Sequence, residues 1–528
     1  MANAGIGFAD RRPWAFVLGV AAVTTGVVLH LPMFWMGRDM GFRMAGMPMD
    51  GGMIAGMGMI IAGVGVAAYG LLPRDVSRQI AASNGLVVAA PEDAPLSWAH
   101  WRLMLVLVVA LVIDIMKPAS LGFTIPGMVR EYGVPRATVS LVPFFALLGT
   151  VVGSFVWGVI ADIYGRRASI LLSAVMFVGT SICGAMPSLA WNVGMCFMMG
   201  AAAGGMLPVT YALLAEMMPS RHRGWSLVLV GGLGAVGGYA AASLIAVWLE
   251  PVFSWRILWL ANLPSGLLLV LLGTLIPESA KFLTARGRHA EAERVMAQFG
   301  SAVRKVPRPE TAAPAPGTAA ALTGRAFAGK LAALSLVAIC WGLVNFGLLL
   351  WLPLELIARG FSMEVSSGLL AASALIALPT VFVVAWMYSA WSTKFSLALS
   401  ILVTLLGLAG VLWLAVSRGA GPVLPVALLI VGSNGIIAML LPYAAESFPL
   451  RVRGRATGWI AACSKLGGVL AQLLSIFGVV PTLAATALMI AAPMAVSLLL
   501  ILRFGRETRG RDLRDLDAGG PGRGETAP

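Results

Sequence analysis

Residues 158–167 read GVIADIYGRR and stand between two long apolar runs, 138–161 and 169–187. Gly158 lets a neighbouring helix approach closely, Asp162 supplies a carboxylate, and Gly165 turns the chain ahead of the paired cations Arg166 and Arg167. A charged turn that closes one apolar run and opens the next belongs at a membrane surface. It predicts helices packed side by side across a bilayer.

The whole composition agrees. Of 528 residues, 59% are hydrophobic and 11% charged, and the mean hydropathy is +0.89. Soluble domains carry about a quarter charged residues, so this chain is read as a polytopic membrane protein. The net charge of +14 is not a nucleic-acid footprint, because the basic residues fall in short stretches between apolar runs. Cys183, Cys196, Cys340 and Cys463 all lie inside such runs, which leaves no disulfide framework.

A spanning helix needs about 20 apolar residues, and on that measure the chain holds about 14 spans. The first, 14–36, follows Arg11-Arg12-Pro13 and reads as a retained anchor. With the N-terminus in the cytoplasm, about 28 of the 37 basic residues fall in cytoplasmic segments. Both termini are therefore expected in the cytoplasm of a cell inner (plasma) membrane. The expected organisation is an N-terminal transmembrane hairpin with its linker (1–98), a six-helix bundle (99–276), a cytoplasmic inter-bundle loop (277–328), a second six-helix bundle (329–503) and a cytoplasmic tail (504–528).

An internal repeat supports the two bundles. Residues 216–224 read EMMPSRHRG and residues 446–454 read ESFPLRVRG, both Glu-x-x-Pro-x-Arg-x-Arg-Gly at the end of a fourth span. Gly237-Gly238 and Gly467-Gly468 recur at equal distance downstream. Two parallel halves joined by a loop form a common transporter plan. Glu216 and Glu446 sit at helix C-termini, where the macrodipole disfavours negative charge. Arginines are expected to hold them: Arg166, Arg167, Arg221 and Arg223, or Arg451 and Arg453.

The G-x-x-x-D-x-x-G-R-R pattern of 158–167, taken with this repeat, resembles the signature loop of the major facilitator superfamily. The resemblance spans about residues 99–516. SWRILWLANLP (254–264), PESAKFL (277–283), GRHAEAERV (287–295) and ETRGRDL (507–513) are similar to the sugar-porter and metabolite–proton symporter branch. It implies an all-helical alternating-access carrier whose loop charges (Gly158, Asp162, Gly165, Arg166 and Arg167 with the glutamates above) latch one conformation. Two departures argue against hexose. The seventh span of the unit lacks the glutamine-rich signature, and its first span lacks Gly-Tyr-Asp. In the second half, the equivalent of 158–167 is YSAWSTKFSL, where only Lys394 remains of the expected charges.

The sharpest site signal is LVIDIMKPAS, 111–120. Asp114 falls near the midplane of its span, Lys117 lies one turn on, and Pro118 interrupts the hydrogen-bond ladder. Ionisable residues at that depth mark substrate or proton paths. Lys465 reaches a similar depth in AACSKLGG. Two lysines against one aspartate leave one positive charge for a substrate carboxylate to neutralise. Trp341, Asn345, Asn434, Tyr239 and Trp351 are candidates to complete the site, and the resemblance implies that spans one, four, seven and ten line the cavity.

No nucleotide loop, HExxH or Ser/His/Asp arrangement argues for an enzyme, and no cofactor is expected. The expected function is secondary active, proton-coupled uptake of a small organic metabolite, a carboxylate anion by the charge argument. A sugar transporter or an exporter of the same superfamily is the alternative. Expected partners are that small molecule, protons and the bilayer.

A second alternative comes from residues 30–59, HLPMFWMGRDMGFRMAGMPMDGGMIAGMGM, where nine of thirty are methionine. Met33, Met36, Met40, Met44 and Met47, then Met49, Met53 and Met57, run at helical spacing. Gly37-x-x-x-Gly41 and Gly52-x-x-x-Gly56 stand beside them. The simplest reading is a helix-packing seam; the sharper one is a Cu(I)-handling segment.

Overall fold

A computed structural model describes residues 12–72, 87–88, 95–300, 305–306, 325–358, 360–416, 423–448, 450–479 and 482–509. Fourteen of its helices are long and apolar enough to cross a membrane. In lipid every backbone group must be satisfied within the segment, which is why each apolar run becomes a helix. Two precede the repeat: α1 (Pro13–Met40) and α2 (Gly51–Leu71). The first half holds α3 (Trp98–Tyr132), α4 (Arg136–Tyr164), α5 (Arg166–Ala185), α6 (Leu189–Met217), α7 (Arg221–Phe253) and α8 (Ile257–Leu275). The second holds α9 (Phe327–Ala358), α10 (Met363–Ala390), α11 (Thr393–Leu414), α12 (Val423–Ser447), α13 (Arg455–Ile476) and α14 (Leu483–Phe504). Two short helices, Ala280–Ala285 and His289–Gln298, lie between the halves. Val87–Val88 pairs antiparallel with Lys305–Val306 in a two-residue ladder.

Close backbone approach sets the packing. A Cβ on Gly149 would lie 2.0 Å from the Phe197 carbonyl oxygen, and one on Gly200 1.9 Å from that of Ala146, so α4 and α6 touch backbone to backbone. In the second half Gly342 and Gly467 do the same for α9 and α13. Gly158 differs from the expectation: nothing lies within 4 Å of its would-be Cβ. The close approach on α4 is made five and nine residues earlier, at Gly153 and Gly149.

The N-terminal pair is a glycine-lined hairpin. Gly19 meets Gly63 and Ala67, and Gly26 meets Gly56. The hairpin lies on α5, where a Cβ at Gly179 would come 2.8 Å from Ile60. Helical methionine stripes do not run through the turn. Left-handed backbone at Gly41 and Phe42 (φ 66° and 59°) breaks the helix, so Met44, Met47 and Met49 sit on irregular chain. Met36 and Met40 are 66% and 51% exposed, whereas Met33, Met44 and Met53 are buried. The turn is held by Glu131 at the end of α3, which accepts from the amides of Met44 (2.7 Å) and Ala45 (3.0 Å). Arg256 in turn pairs with Glu131 at 2.6 Å, and the Trp255 indole donates to it at 2.8 Å.

Candidate functional site

The end of the molecule that carries Asp162, Glu216 and Glu446 is here termed the basic end. The halves meet at both ends. At the opposite end Arg136 pairs with Glu355 across the halves at 2.5 Å and lies over the Trp351 ring at 4.3 Å. At the basic end a Cβ on Gly224 would lie 3.4 Å from the Tyr388 ring and 3.5 Å from Glu446 Oε1. A cavity of about 440 Å³ opens at the opposite end, lined by Arg43, Arg130, Glu250, Trp255, Met363 and Glu364 among others.

Asp114 is buried, 5% exposed, on an α3 that runs as helix past both Pro118 and Pro126. The charges of Lys465 and Lys117 act on it, that of Lys465 the more strongly. Lys117 turns away from it. Its ammonium donates to the Phe177 carbonyl (2.7 Å) and to Thr180 Oγ1 (2.5 Å), and it lies 4.2 Å from the Phe177 ring centre. Lys117 therefore ties α3 to α5 inside the first half, while Lys465 belongs to the boundary between halves.

Lys465 is half-buried on α13, 5.5 Å from the Phe346 ring centre and 5.8 Å from that of Trp341. Both rings belong to α9, which passes through a π-helical turn at Val344–Leu349. Such turns are rare and frequent at functional sites. The turn exposes the Phe346 carbonyl to the Gln472 amide of α13. Trp341 donates its indole N–H to the Ser433 carbonyl (3.0 Å), and the Asn345 amide donates to Ser433 Oγ (2.5 Å), locking α9 onto α12. Asn434, next on α12, is half-buried, and no side-chain hydrogen bond to it is found among the described residues. Tyr239 on α7 faces Phe123 of α3 with ring centres 6.0 Å apart. Trp351 is buried near the opposite end, outside this cluster. Sequence reasoning missed Phe346 and the π turn, since a lone Phe in an apolar span carries no signal.

The loop charges are arranged differently from the expectation. Asp162 is 77% exposed at its side chain and 3.3 Å from Arg166, which lies just across the Gly165 turn at the start of α5. Arg166 reaches Glu216 at 3.2 Å, but Arg167 goes instead to the Thr274 carbonyl (2.8 Å). Arg221 is exposed. Glu446 accepts from Tyr388 Oη and Thr508 Oγ1, both at 2.7 Å, and feels the charge of Arg223. The side chains of Arg451 and Arg453 lie outside the described residues.

Two carboxylates absent from the expected set organise this end. Glu278, of PESAKFL, accepts from the Arg166 amide at the N-terminus of α5 (2.8 Å). A Cβ on Gly165 (φ 103°) would fall 2.2 Å from its Oε2, so glycine is required there twice over. Glu507, of ETRGRDL, does the same for α11, accepting from the Thr393 amide (3.0 Å), from Thr393 Oγ1 (2.7 Å) and from Ser392 Oγ. A carboxylate at a helix N-terminus is stabilised by the free amides and the dipole. The second half thus keeps, from its tail, the charge that YSAWSTKFSL lacks.

Glu507 gives a pH prediction. Burial works to raise its pKa, but hydrogen bonds from Ser392, Thr393 and Arg509 outweigh this and hold it below the usual carboxylate range. A depressed pKa contributes stability above the unfolded-state value, and that stability is lost as pH falls through the lowered value. Tail docking is therefore full at neutral pH and loosens on strong acidification. Glu507→Gln weakens docking by about 1–2 kcal/mol at neutral pH and removes the acid step. Tryptic cleavage after the exposed Arg509 across pH measures both.

The comparisons with known proteins follow the same geometry. The family model described as Major Facilitator Superfamily matches residues 103–472, leaving α1 and α2 outside the match. The niacin transporter NiaP of Acinetobacter baylyi is 25% identical over 400 residues, covering 73% of this chain and 89% of that protein. The 4-hydroxybenzoate transporter PcaK of Pseudomonas aeruginosa is 30% identical over 399 residues, covering 71% and 85%. Among solved structures, the xylose transporter XylE from E. coli, in a partially occluded inward-open conformation, superposes with a TM-score of 0.63 at 14% identity. That match covers 79% of this chain and all of XylE, a likeness of fold. The chain belongs to the Major Facilitator Superfamily and is a multi-pass membrane transporter, not an enzyme.

Proposed function

We propose that this transporter takes up a small monocyclic aromatic carboxylate together with protons. The observation that carries the reading is the Lys465 ammonium beside the Phe346 and Trp341 rings, with Asp114 of the other half within its electrostatic reach. A cation next to two aromatic faces suits a ligand with a flat ring and one negative charge. Asn434, Asn345 and Tyr239 supply polar contacts for ring substituents. The names of NiaP and PcaK, carriers of niacin and 4-hydroxybenzoate, support the same substrate class.

Asp114 is the proton-carrying group. An unpaired carboxylate inside a membrane bundle is expensive when ionised, so its protonation follows whether Lys465 is engaged with Asp114 or with substrate. Lys117 acts on Asp114 through its charge while it braces α3 against α5. The basic end lies in the cytoplasm of a bacterial inner membrane, with both termini on that side, a placement that the distribution of Lys and Arg supports. Arg166 with Glu216, and Glu446 with Tyr388 and Arg223, latch that end, while Arg136 with Glu355 closes the other.

Counterflow in proteoliposomes tests the substrate class. Nicotinate and 4-hydroxybenzoate should exchange for labelled counterparts, with acetate and glucose inactive. Exchange of glucose but of neither aromatic acid overturns the reading.

A further inference from the structure

The Met-rich hairpin holds a group that the transport cycle does not use. His30 is fully buried where the first helical stretch of α1 ends. Its Nδ1 lies 2.8 Å from the Gly26 carbonyl oxygen. A carbonyl only accepts, so the proton sits on Nδ1 and the lone pair on Nε2. Nε2 is buried and has no hydrogen-bond partner among the described residues. An unsatisfied buried acceptor costs about 1–3 kcal/mol. A histidine that donates one ring N–H to a backbone carbonyl and leaves the other nitrogen free is oriented as metal-ligating histidines are.

The surroundings are soft. The ring lies against α2 at Gly56, whose Cβ would meet His30 Cε1 at 2.7 Å. Met53 stands one turn before Gly56 on α2, and Met33 one turn after His30 on α1; they are 0% and 3% exposed. Met44 is buried against Gly37, a further turn along α1. Asp50, which caps α2, is exposed, and its carboxylate charge acts on His30. No group of three or more His, Cys, Asp or Glu that could hold a metal is found among the described residues, so a hard divalent ion has no cage. A single imidazole with buried methionines one helical turn away on each helix suits a soft monovalent cation.

We propose that His30 Nε2, with the thioethers of Met33 and Met53, binds Cu(I), or Ag(I) in its place, under the turn of the hairpin. The site is separate from Asp114 and Lys465 and stands whatever the transported substrate is. Full-length protein in detergent is titrated with Ag(I), and with Cu(I) under reducing conditions, against a chromophoric chelator. One ion per chain should be held beyond any taken by the four buried cysteines, which every variant keeps. His30→Gln and the double variant Met33→Leu/Met53→Leu should each weaken it at least tenfold. Leucine nearly conserves methionine's volume, so the double variant keeps the fold. The double variant Met36→Leu/Met40→Leu, on exposed side chains, should leave it unchanged. Absence of that ion, its retention in the buried variants, or its equal loss in the exposed one overturns the proposal.

Discussion

Asp114→Asn should abolish concentrative uptake while leaving substrate binding nearly intact. The carboxylate is buried and makes none of the ion pairs found among the described residues. Among the described residues the charges acting on it are those of the two lysines. An amide fills the same space but cannot take up or release a proton. Accumulation against a gradient should therefore vanish, and exchange of substrate for substrate should persist. Stability should not suffer, because a central charge costs about 2.5–3.5 kcal/mol in a spanning helix and the amide removes it. Uptake assays with and without an imposed pH gradient, run beside counterflow, separate the two activities. Loss of counterflow as well would make Asp114 a substrate contact rather than a proton carrier.

Lys465→Ala should remove affinity instead of coupling. A hydrogen bond to a charged group contributes about 1.5–3 kcal/mol, which is roughly 10–150-fold in Kd. The weakening should be largest for carboxylates and small for the corresponding aromatic amides, and Lys465→Arg should recover part of it. Lys117→Met should behave differently, lowering thermal stability more than affinity, because the ammonium that ties α3 to Phe177 and Thr180 of α5 is lost, while those two keep their bond to each other. Equal binding of carboxylate by wild type and Lys465→Ala, measured calorimetrically, would remove Lys465 from the site.

How much of this was legible in the sequence follows from which interactions are local. The fourteen spans and the two halves were readable, since hydrocarbon admits only long apolar helices and the Glu-x-x-Pro repeat marks their register. Lys117 shows where spacing fails. Three residues after Asp114 puts it on the same helix face at Cβ, but its four-carbon stem carries the ammonium to α5. Glu278 and Glu507 were visible only as pieces of family motifs. Their role depends on helix N-termini more than a hundred residues away in sequence. The Met-rich turn misled because periodicity survives in the letters after Gly41 and Phe42 have broken the helix. The buried Glu131–Arg256 pair that holds this turn joins residues 125 apart and leaves no local pattern.

One Asp114–Lys465 site is proposed to couple an aromatic carboxylate to protons. Its most direct test is proton movement into proteoliposomes carrying a pH-sensitive dye, started by adding nicotinate or 4-hydroxybenzoate. Inward proton flow is expected with at least one of these acids in wild type and none in Asp114→Asn of equal folded content. Substrate entry without proton flow in wild type, or undiminished flow in the variant, would contradict it.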